Sequence, residues 1–506
     1  MYAIVFALVL SVLAYGVYHL YLHPLSLVPG PWLTRWTRCW EWYHVRSGSF
    51  EDVLIRLHQK HGNIIRIAPN KYSITSPDAI QQIYGHGSKL VKDRFYRAFA
   101  HPDESKFDLF SIVNVQGHAD RRRKVASLYS MSSLVAYEPA VDGCIELLVE
   151  RFKGLGGKGE SVAVPTWMEY FAFDVVGSLS TGESFGMMRK SGDSEGILDV
   201  IHQFLSYSSQ MGLFVEWYYW IGGLNHLLGR GIAVNKILNY TVRCLAAHRD
   251  GPGTAAAPGA NGGAGAHKDQ VSASLSTPRP PGTGTAFIEL LLKLHKAGKL
   301  DYDDIFSTLN GNIVAGADSS ALTLSAVVYY LARHPHARET LRREVDEQPE
   351  GPISFASCQA MPYLQAVIKE TLRLHPATGM ILPRVVPSEG ATIAGQFFPA
   401  KSVVGVNAWT IHRNPEIFGP DADLFRPERW LGPKEEIAPL ERNLFTFGAG
   451  ARTCLGKNIS LLEITKLVPM LYRHFDFELE GQWKTWNAFL VLPMFKCKII
   501  PREVGC

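Results

Sequence analysis

No two of the seven cysteines stand at CxxC spacing; they fall at positions 39, 144, 244, 358, 454, 497 and 506. An odd, scattered set excludes a disulfide framework and a zinc module, and it fits a reducing compartment. A strong excess of one charge is also missing. Fifty-one basic against 47 acidic residues leave a net charge of +4 over 506 residues, which argues against a nucleic-acid partner. No internal repeat is evident, so the chain is not read as a repeat array. The first 22 residues contain no Asp, Glu, Lys or Arg. They also lack the basic start, short apolar run and small-residue cleavage site of a secretory signal.

What the N-terminus does have is length. As a helix, residues 1–22 would span about 33 Å, enough to cross a bilayer. Arg35, Arg38 and Arg46 follow, so the positive-inside tendency puts the bulk of the chain in the cytosol. The expectation is an anchor over 1–22, a proline-rich hinge over 23–34 (Pro24, Pro29-Gly30-Pro31) and one large domain over 35–506. A buried N-terminal helix is the alternative. Cytosolic placement would leave the sequons at Asn239 and Asn458 unmodified. Residues 251–285 are dense in Gly, Ala, Pro, Ser and Thr and are read as a disordered insertion. Elsewhere 46% hydrophobic residues, with 11 Trp, 20 Tyr and 25 Phe, supply a sizeable core.

Spacing predicts a helix over 50–61, a hairpin from strands 64–67 and 72–75, and a helix over 117–130. Several helices follow over 161–250, which hold an aromatic cluster at Trp217-Tyr218-Tyr219-Trp220. A long helix is predicted over 302–333 and further strands over 393–406. The stretch that organises the rest is Phe447-Gly448-Ala449-Gly450-Ala451-Arg452-Thr453-Cys454-Leu455-Gly456. Gly450 and Gly456 let the backbone pass close to a cofactor. The apolar spacing after Cys454 starts a helix there, whose N–H groups and dipole favour a thiolate. Arg452 brings a permanent cation and Phe447 a flat apolar face.

This pattern, F-x-x-G-x-R-x-C-x-G, resembles the haem-binding loop of the cytochrome P-450 superfamily. Five fixed positions would coincide by chance in roughly one chain of this length in ten thousand. The resemblance makes Cys454 the axial ligand of a haem iron, with Phe447, Arg452 and Gly456 in contact with the ring. Ala315-Gly316-Ala317-Asp318-Ser319-Ser320 resembles the family's oxygen-binding helix, where an acid and an alcohol deliver protons during oxygen activation. Ser319 stands where threonine is usual; it keeps the hydroxyl and loses the methyl that restricts its rotamers. His118 and Arg122, four apart on one helix face, match the family's propionate ligands, and Arg384 is a third candidate. Arg121, Arg123 and Lys124 read as a solvated basic face suited to an acidic reductase.

Glu-Thr-Leu-Arg occurs twice, at 339–342 and 370–373. The second, followed by His375-Pro376 and Pro383-Arg384, is assigned to the family's buried network: Glu370 and Arg373, completed by Arg429. The first reads as a solvated i,i+3 pair. The resemblance implies a mainly α fold: a single large helical domain with small β-sheets, preceded by a transmembrane helix. It also implies haem b (iron protoporphyrin IX) and monooxygenation of a small hydrophobic substrate with O2. Electrons would come from NADPH through NADPH–cytochrome P-450 reductase, with cytochrome b5 as an optional second donor. The setting would be the endoplasmic reticulum membrane, single-pass, with the catalytic domain cytosolic. Finer features (the His-Ala-x-x-Arg-Arg segment, residues 129–132, the long insertion) are similar to pisatin-demethylase-like fungal members, which act in secondary metabolism or detoxification. Two other classes stay open: a haem-thiolate isomerase or dehydratase, and a non-enzymatic haem-binding membrane protein.

Overall fold

The computed structural model describes residues 23–100, 108–218 and 285–502, with residues 2, 6, 10, 11, 14, 16–18, 220, 241–243 and 245. Most of the expected anchor over 1–22 lies outside the described residues, as does the 251–285 insertion apart from Thr285. The helices that build the site are α1 (Cys39–Arg46), α2 (Phe50–His61), α3 (Val115–Val125), α4 (Glu138–Gly156), α5 (Val164–Thr181) and α6 (Ile197–Met211). After them come α7 (Phe287–Lys296), α8 (Tyr302–Arg333), α9 (Pro335–Asp346), α10 (Pro362–Leu374) and α11 (Lys457–His474). The helix predicted over 117–130 is α3, which gives way to a short 3-10 turn, Ala126–Tyr129.

Helix α8 is the axis of the domain. It starts at a reciprocal cap, in which Asp301 accepts the Asp304 N–H at 2.7 Å and Asp304 accepts the Asp301 N–H at 3.5 Å. It stops at Arg333 because Pro335 cannot continue it. Small residues at Ala317 and Ala321 are fully buried, and α5, α10 and α11 pack against the helix. Among the described residues α8 is the one helix long and apolar enough to cross a bilayer, but 67% of its apolar window is buried inside the fold. It is a core helix.

Five short strands form the main sheet: β1 (Ile64–Ala68), β2 (Lys71–Ile74), β3 (Val91–Lys92), β5 (Arg384–Val385) and β8 (Val403–Gly405), in the order β1-β2-β8-β5-β3. Among the described residues only β2 and β8 pair in parallel. Strand β4 (Ser161–Val162) joins the long hairpin of β9 (Phe475–Ala488) and β10 (Leu490–Pro501), while β6 (Ala391–Ile393) pairs with β7 (Gln396–Phe398). One large apolar cluster fills the helical part, with Phe152, Phe171, Phe173 and Phe287 fully buried. Each such side chain contributes roughly 1.5–3 kcal/mol by leaving water. A second cluster lies under the main sheet and includes Leu25 and Val28. The proline-rich stretch therefore packs onto the domain, and Arg66 fixes it further by donating to the Leu25 carbonyl at 2.6 Å.

Candidate active site

Cys454 is an exposed thiol just before α11. Its N–H donates to the Phe447 carbonyl at 2.8 Å, and Thr453 Oγ1 donates to the Gly450 carbonyl at 2.8 Å, so the loop closes on itself. Gly450 has φ of +62°, and a Cβ there would meet the Tyr84 carbonyl oxygen at 1.9 Å; only glycine fits. Gly456 differs: a Cβ there would meet no protein atom within 4 Å, so the protein itself makes no demand for glycine. The thiol opens on one side only; the protein packed behind it withdraws it from water and raises its pKa, and the Gly456 and Lys457 N–H groups with the Arg122 charge offset only part of that. Coordination to a metal ion would deprotonate it outright.

Around this loop cations converge. Arg452 donates to the Ile112 carbonyl at 2.7 Å and to those of Val113 and Asn114, while Arg122 donates to the Thr453 carbonyl at 2.8 Å. Arg384 reaches Tyr96 Oη at 3.2 Å, and its strand places it directly opposite Lys92 in the β3–β5 ladder. Like charges at a cross-strand pair repel. Lys92, buried, donates to the Phe110 carbonyl and stands 3.9 Å from the centre of the Tyr96 ring. Burial and then the charges of Arg384 and Arg452 push the Lys92 pKa well down; burial and then Arg452, Lys92 and Arg122 push His118 down to about 3. Among the described residues none of Lys92, Arg384 and Arg452 is ion-paired with a carboxylate. Such a donor set fits a bound dianion, which is what the two carboxylates of a haem would bring. Lys92 and Tyr96 escaped the sequence reading, because β3 is two residues long and the 3-10 turn Arg94–Phe99 that holds Tyr96 is also too short to carry a periodic signal.

The predicted basic face is only partly solvated. Lys124 pairs with Asp304 at 2.5 Å and Arg121 lies 3.8 Å from the same carboxylate, which ties α3 to the start of α8. Arg123 pairs with Asp120 at 3.3 Å. Asn458, the sequon residue, donates its amide to the Tyr129 carbonyl at 2.9 Å and so belongs to the packing.

On α8 the acid and the alcohol face different ways. Ser319 is half-buried and donates to the Ala315 carbonyl at 2.9 Å, so it shares with exposed Ala315 the accessible edge of the helix. Asp318 is fully buried toward α5 and α6, with Oδ2 3.3 Å from His202 Nε2. The next residue, Ser320, donates its Oγ–H to Ser460 Oγ at 3.0 Å, which locks α8 to α11 six residues past Cys454.

Glu370, fully buried, takes Arg373 bidentately at 2.7 and 2.8 Å and Arg429 at 3.4 Å. It also accepts the Arg426 N–H and the Trp430 indole, each at 2.9 Å. Sequence reasoning missed His412. Its Nδ1 donates to the Arg373 carbonyl at 2.8 Å and its Nε2 accepts the Phe445 N–H at 2.7 Å, so one neutral tautomer ties this network to the Cys454 loop. Burial holds His412 near 3, which keeps it neutral. The first tetrapeptide is less solvated than predicted. Glu339 is exposed, but Arg342 is buried and also pairs with Asp476.

Phe99, Phe110, Phe204 and Phe489 form an aromatic cluster, with the Phe99 and Phe489 centres 4.9 Å apart. Lys92 Nζ is 4.5 Å from the Phe110 centre, so the cluster adjoins the cationic end of the site. Its members come from four separate segments, which is why no sequence pattern announced it.

Residues 29–495 match the family described as Cytochrome P450. Pisatin demethylase of Fusarium vanettenii is 36% identical over 98% of this chain and 93% of the relative. Cytochrome P450 monooxygenase gsfF of Penicillium aethiopicum is 36% identical over 92% of this chain and 91% of its own. Cytochrome P450 monooxygenase hepC of Aspergillus oryzae is 33% identical over 94% and 91%. The chain belongs to the cytochrome P450 family, and it is an oxidoreductase of that family's monooxygenase class.

Proposed function

We propose that this chain oxidises a small hydrophobic organic compound of fungal secondary metabolism or detoxification, with O2 and with NADPH-derived electrons passed by a reductase. The observation that carries the reading is the pairing of the Cys454 loop with a cluster of cations, buried Lys92 and Arg384 and half-buried Arg452, that meet no carboxylate among the described residues. Haem b bound there, with Cys454 as its ligand, supplies the oxygen-activating chemistry. His118, Arg122, Arg384, Arg452 and Lys92 are the residues to hold its carboxylates, and Phe447 to lie against the ring. Ser319 offers a hydroxyl at the accessible edge of α8, and Asp318 behind it holds the proton supply. The aromatic cluster excludes water and favours an apolar substrate.

The membrane setting is part of the proposal: a single-pass anchor over 1–22 in the endoplasmic reticulum, with the domain in the cytosol. Trp32, Trp217 and Trp220 are exposed, and Arg38 joins their segments by donating to the Leu213 carbonyl at 2.8 Å and pairing with Glu216. Exposed tryptophans on segments joined in this way suit a membrane interface.

To test the function, full-length protein is reconstituted with haem and reductase in phospholipid vesicles and given extracts of the host organism. We expect NADPH-dependent products one oxygen heavier, or demethylated with release of formaldehyde. Turnover of a peroxide without NADPH would instead establish the isomerase class. Lys92→Met tests the cation cluster. Losing a charge-assisted bond of about 1.5–3 kcal/mol should speed haem transfer to apomyoglobin on the order of tenfold or more. An unchanged transfer rate removes Lys92 from the haem site.

A further inference from the structure

Asp318 is fully buried, and neither carboxylate oxygen has a hydrogen-bond partner of ordinary geometry. What faces it is His202 of α6, whose Nε2 lies 3.3 Å from Asp318 Oδ2 and 3.8 Å from Glu169 Oε1 of α5. Neither His202 nor Glu169 belongs to a motif, and α5 and α6 bring them to Asp318 of α8, which is far from both in sequence. An isolated carboxylate at this depth is strongly unfavourable, so the imidazole is a cation held between two acids. Burial works against that charge, but the close Asp318 carboxylate and then the charge of Glu169 outweigh it and push His202 up to about 9. Glu169 is pushed up to about 7 by burial and then by the Asp318 charge. Asp199, on the helix of His202, acts on both groups in the same direction, and Asp193 acts on Glu169.

His202 also reaches outward. Its side chain is 24% exposed although Nε2 itself is buried. It lines a cavity of about 580 Å³ together with Arg46, Tyr207, Gln210 and Trp486. The ring therefore spans from the cavity to a carboxylate that water does not reach.

We propose that His202 is the relay through which Asp318 is resupplied with protons, taking them from the cavity, while Glu169 shares the charge of the imidazolium. The inference rests on the monooxygenase reading above, because only oxygen activation draws protons from Asp318. In the step, the Nε2–H bond breaks and the proton passes to Asp318 Oδ2. The ring, still protonated at Nδ1, then turns about its Cβ–Cγ bond to bring the vacated Nε2 to the cavity, where a protonated water gives up a proton to it and is left as water, and no electrons move. His202 acts through Asp318, so it is a positioning and relay residue. The same three groups have the spacing of a metal site, with ligand atoms within 4.8 Å of one another. A metal needs the neutral imidazole, however, and the two acids favour the cation.

The test uses full-length holoenzyme as wild type, His202→Gln, His202→Lys, Asp318→Asn and the 202–318 double variant. Thermal unfolding without turnover reads the pairing. A histidine whose folded pKa is raised stabilises fully below its unfolded value of about 6.5, and loses that contribution as pH rises through about 9. The double-mutant cycle should therefore show coupling at about pH 6.5 that fades above about pH 9. Turnover is read with NADPH, reductase and a fluorogenic alkoxycoumarin as probe. His202→Gln should cut product per NADPH on the order of tenfold or more and enlarge the solvent deuterium effect, while His202→Lys recovers most of the loss. Additive stabilities at the lower pH, or wild-type yield and isotope effect in His202→Gln, overturn the proposal. Should wild type itself make no product with NADPH, the monooxygenase reading fails, and the unfolding cycle alone still decides whether the pair exists.

Discussion

Cys454→Ala is expected to give a folded chain that has lost the far-red-shifted Soret band of the reduced CO complex entirely. The band requires a thiolate on iron, and alanine has no ligand atom to replace it. Folding should survive because the loop is held by other bonds. The Cys454 N–H to Phe447 carbonyl bond, the Thr453 side chain and the glycine turn at Gly450 are all untouched by the change. The measurement is the reduced CO difference spectrum beside thermal unfolding of the same preparation. A retained red-shifted band means another residue is the ligand. A chain that does not fold points instead to a structural role for the thiol, and Cys454→Ser then separates the two.

Glu370→Ala is expected to cost on the order of 3–5 kcal/mol and to leave little soluble haem protein. The reason is what remains behind. Arg373, fully buried, would keep its charge without the carboxylate that neutralises it, and Arg429, nearly as buried, would be left with Asp421 alone. Trp430 and the Arg426 N–H would lose their acceptor as well. The damage should travel through His412 to Phe445 and so loosen the loop that carries Cys454. Glu339→Ala is the control. Glu339 is exposed, and Arg342 keeps Asp476, so the loss there should be about 1 kcal/mol or less, as for surface pairs. Denaturant unfolding of the two variants checks the contrast, and equal losses would refute the assignment of roles to the two identical tetrapeptides.

Much of this was readable from local pattern. The α2 and α8 boundaries follow from apolar spacing, a capping box and a following proline, all of which act within a few residues. The glycine at 450 is demanded by its own φ and by a single close contact. Roles that depend on distant partners were less legible. Lys124 read as a solvated cation because nothing local shows that Asp304, 180 residues on, lies beside it. The 23–34 stretch read as a spacer because Leu25 and Val28 meet their apolar neighbours only across the main sheet.

The sequence by itself singled out the candidates for the chemistry, a sulfur before a helix and an acid beside an alcohol, together with the ion-pair network that the structure shows at Glu370, Arg373 and Arg429. Those are fixed by short motifs whose residues must be close in sequence to act on one loop or one helix. Tertiary structure alone decided what surrounds them. Lys92 stands opposite Arg384 because two short strands pair antiparallel, and His202 meets Asp318 because α6 and α8 pack. Side chains from separate segments come within a few ångströms only when the core brings their backbones together, and one-dimensional spacing carries no record of that.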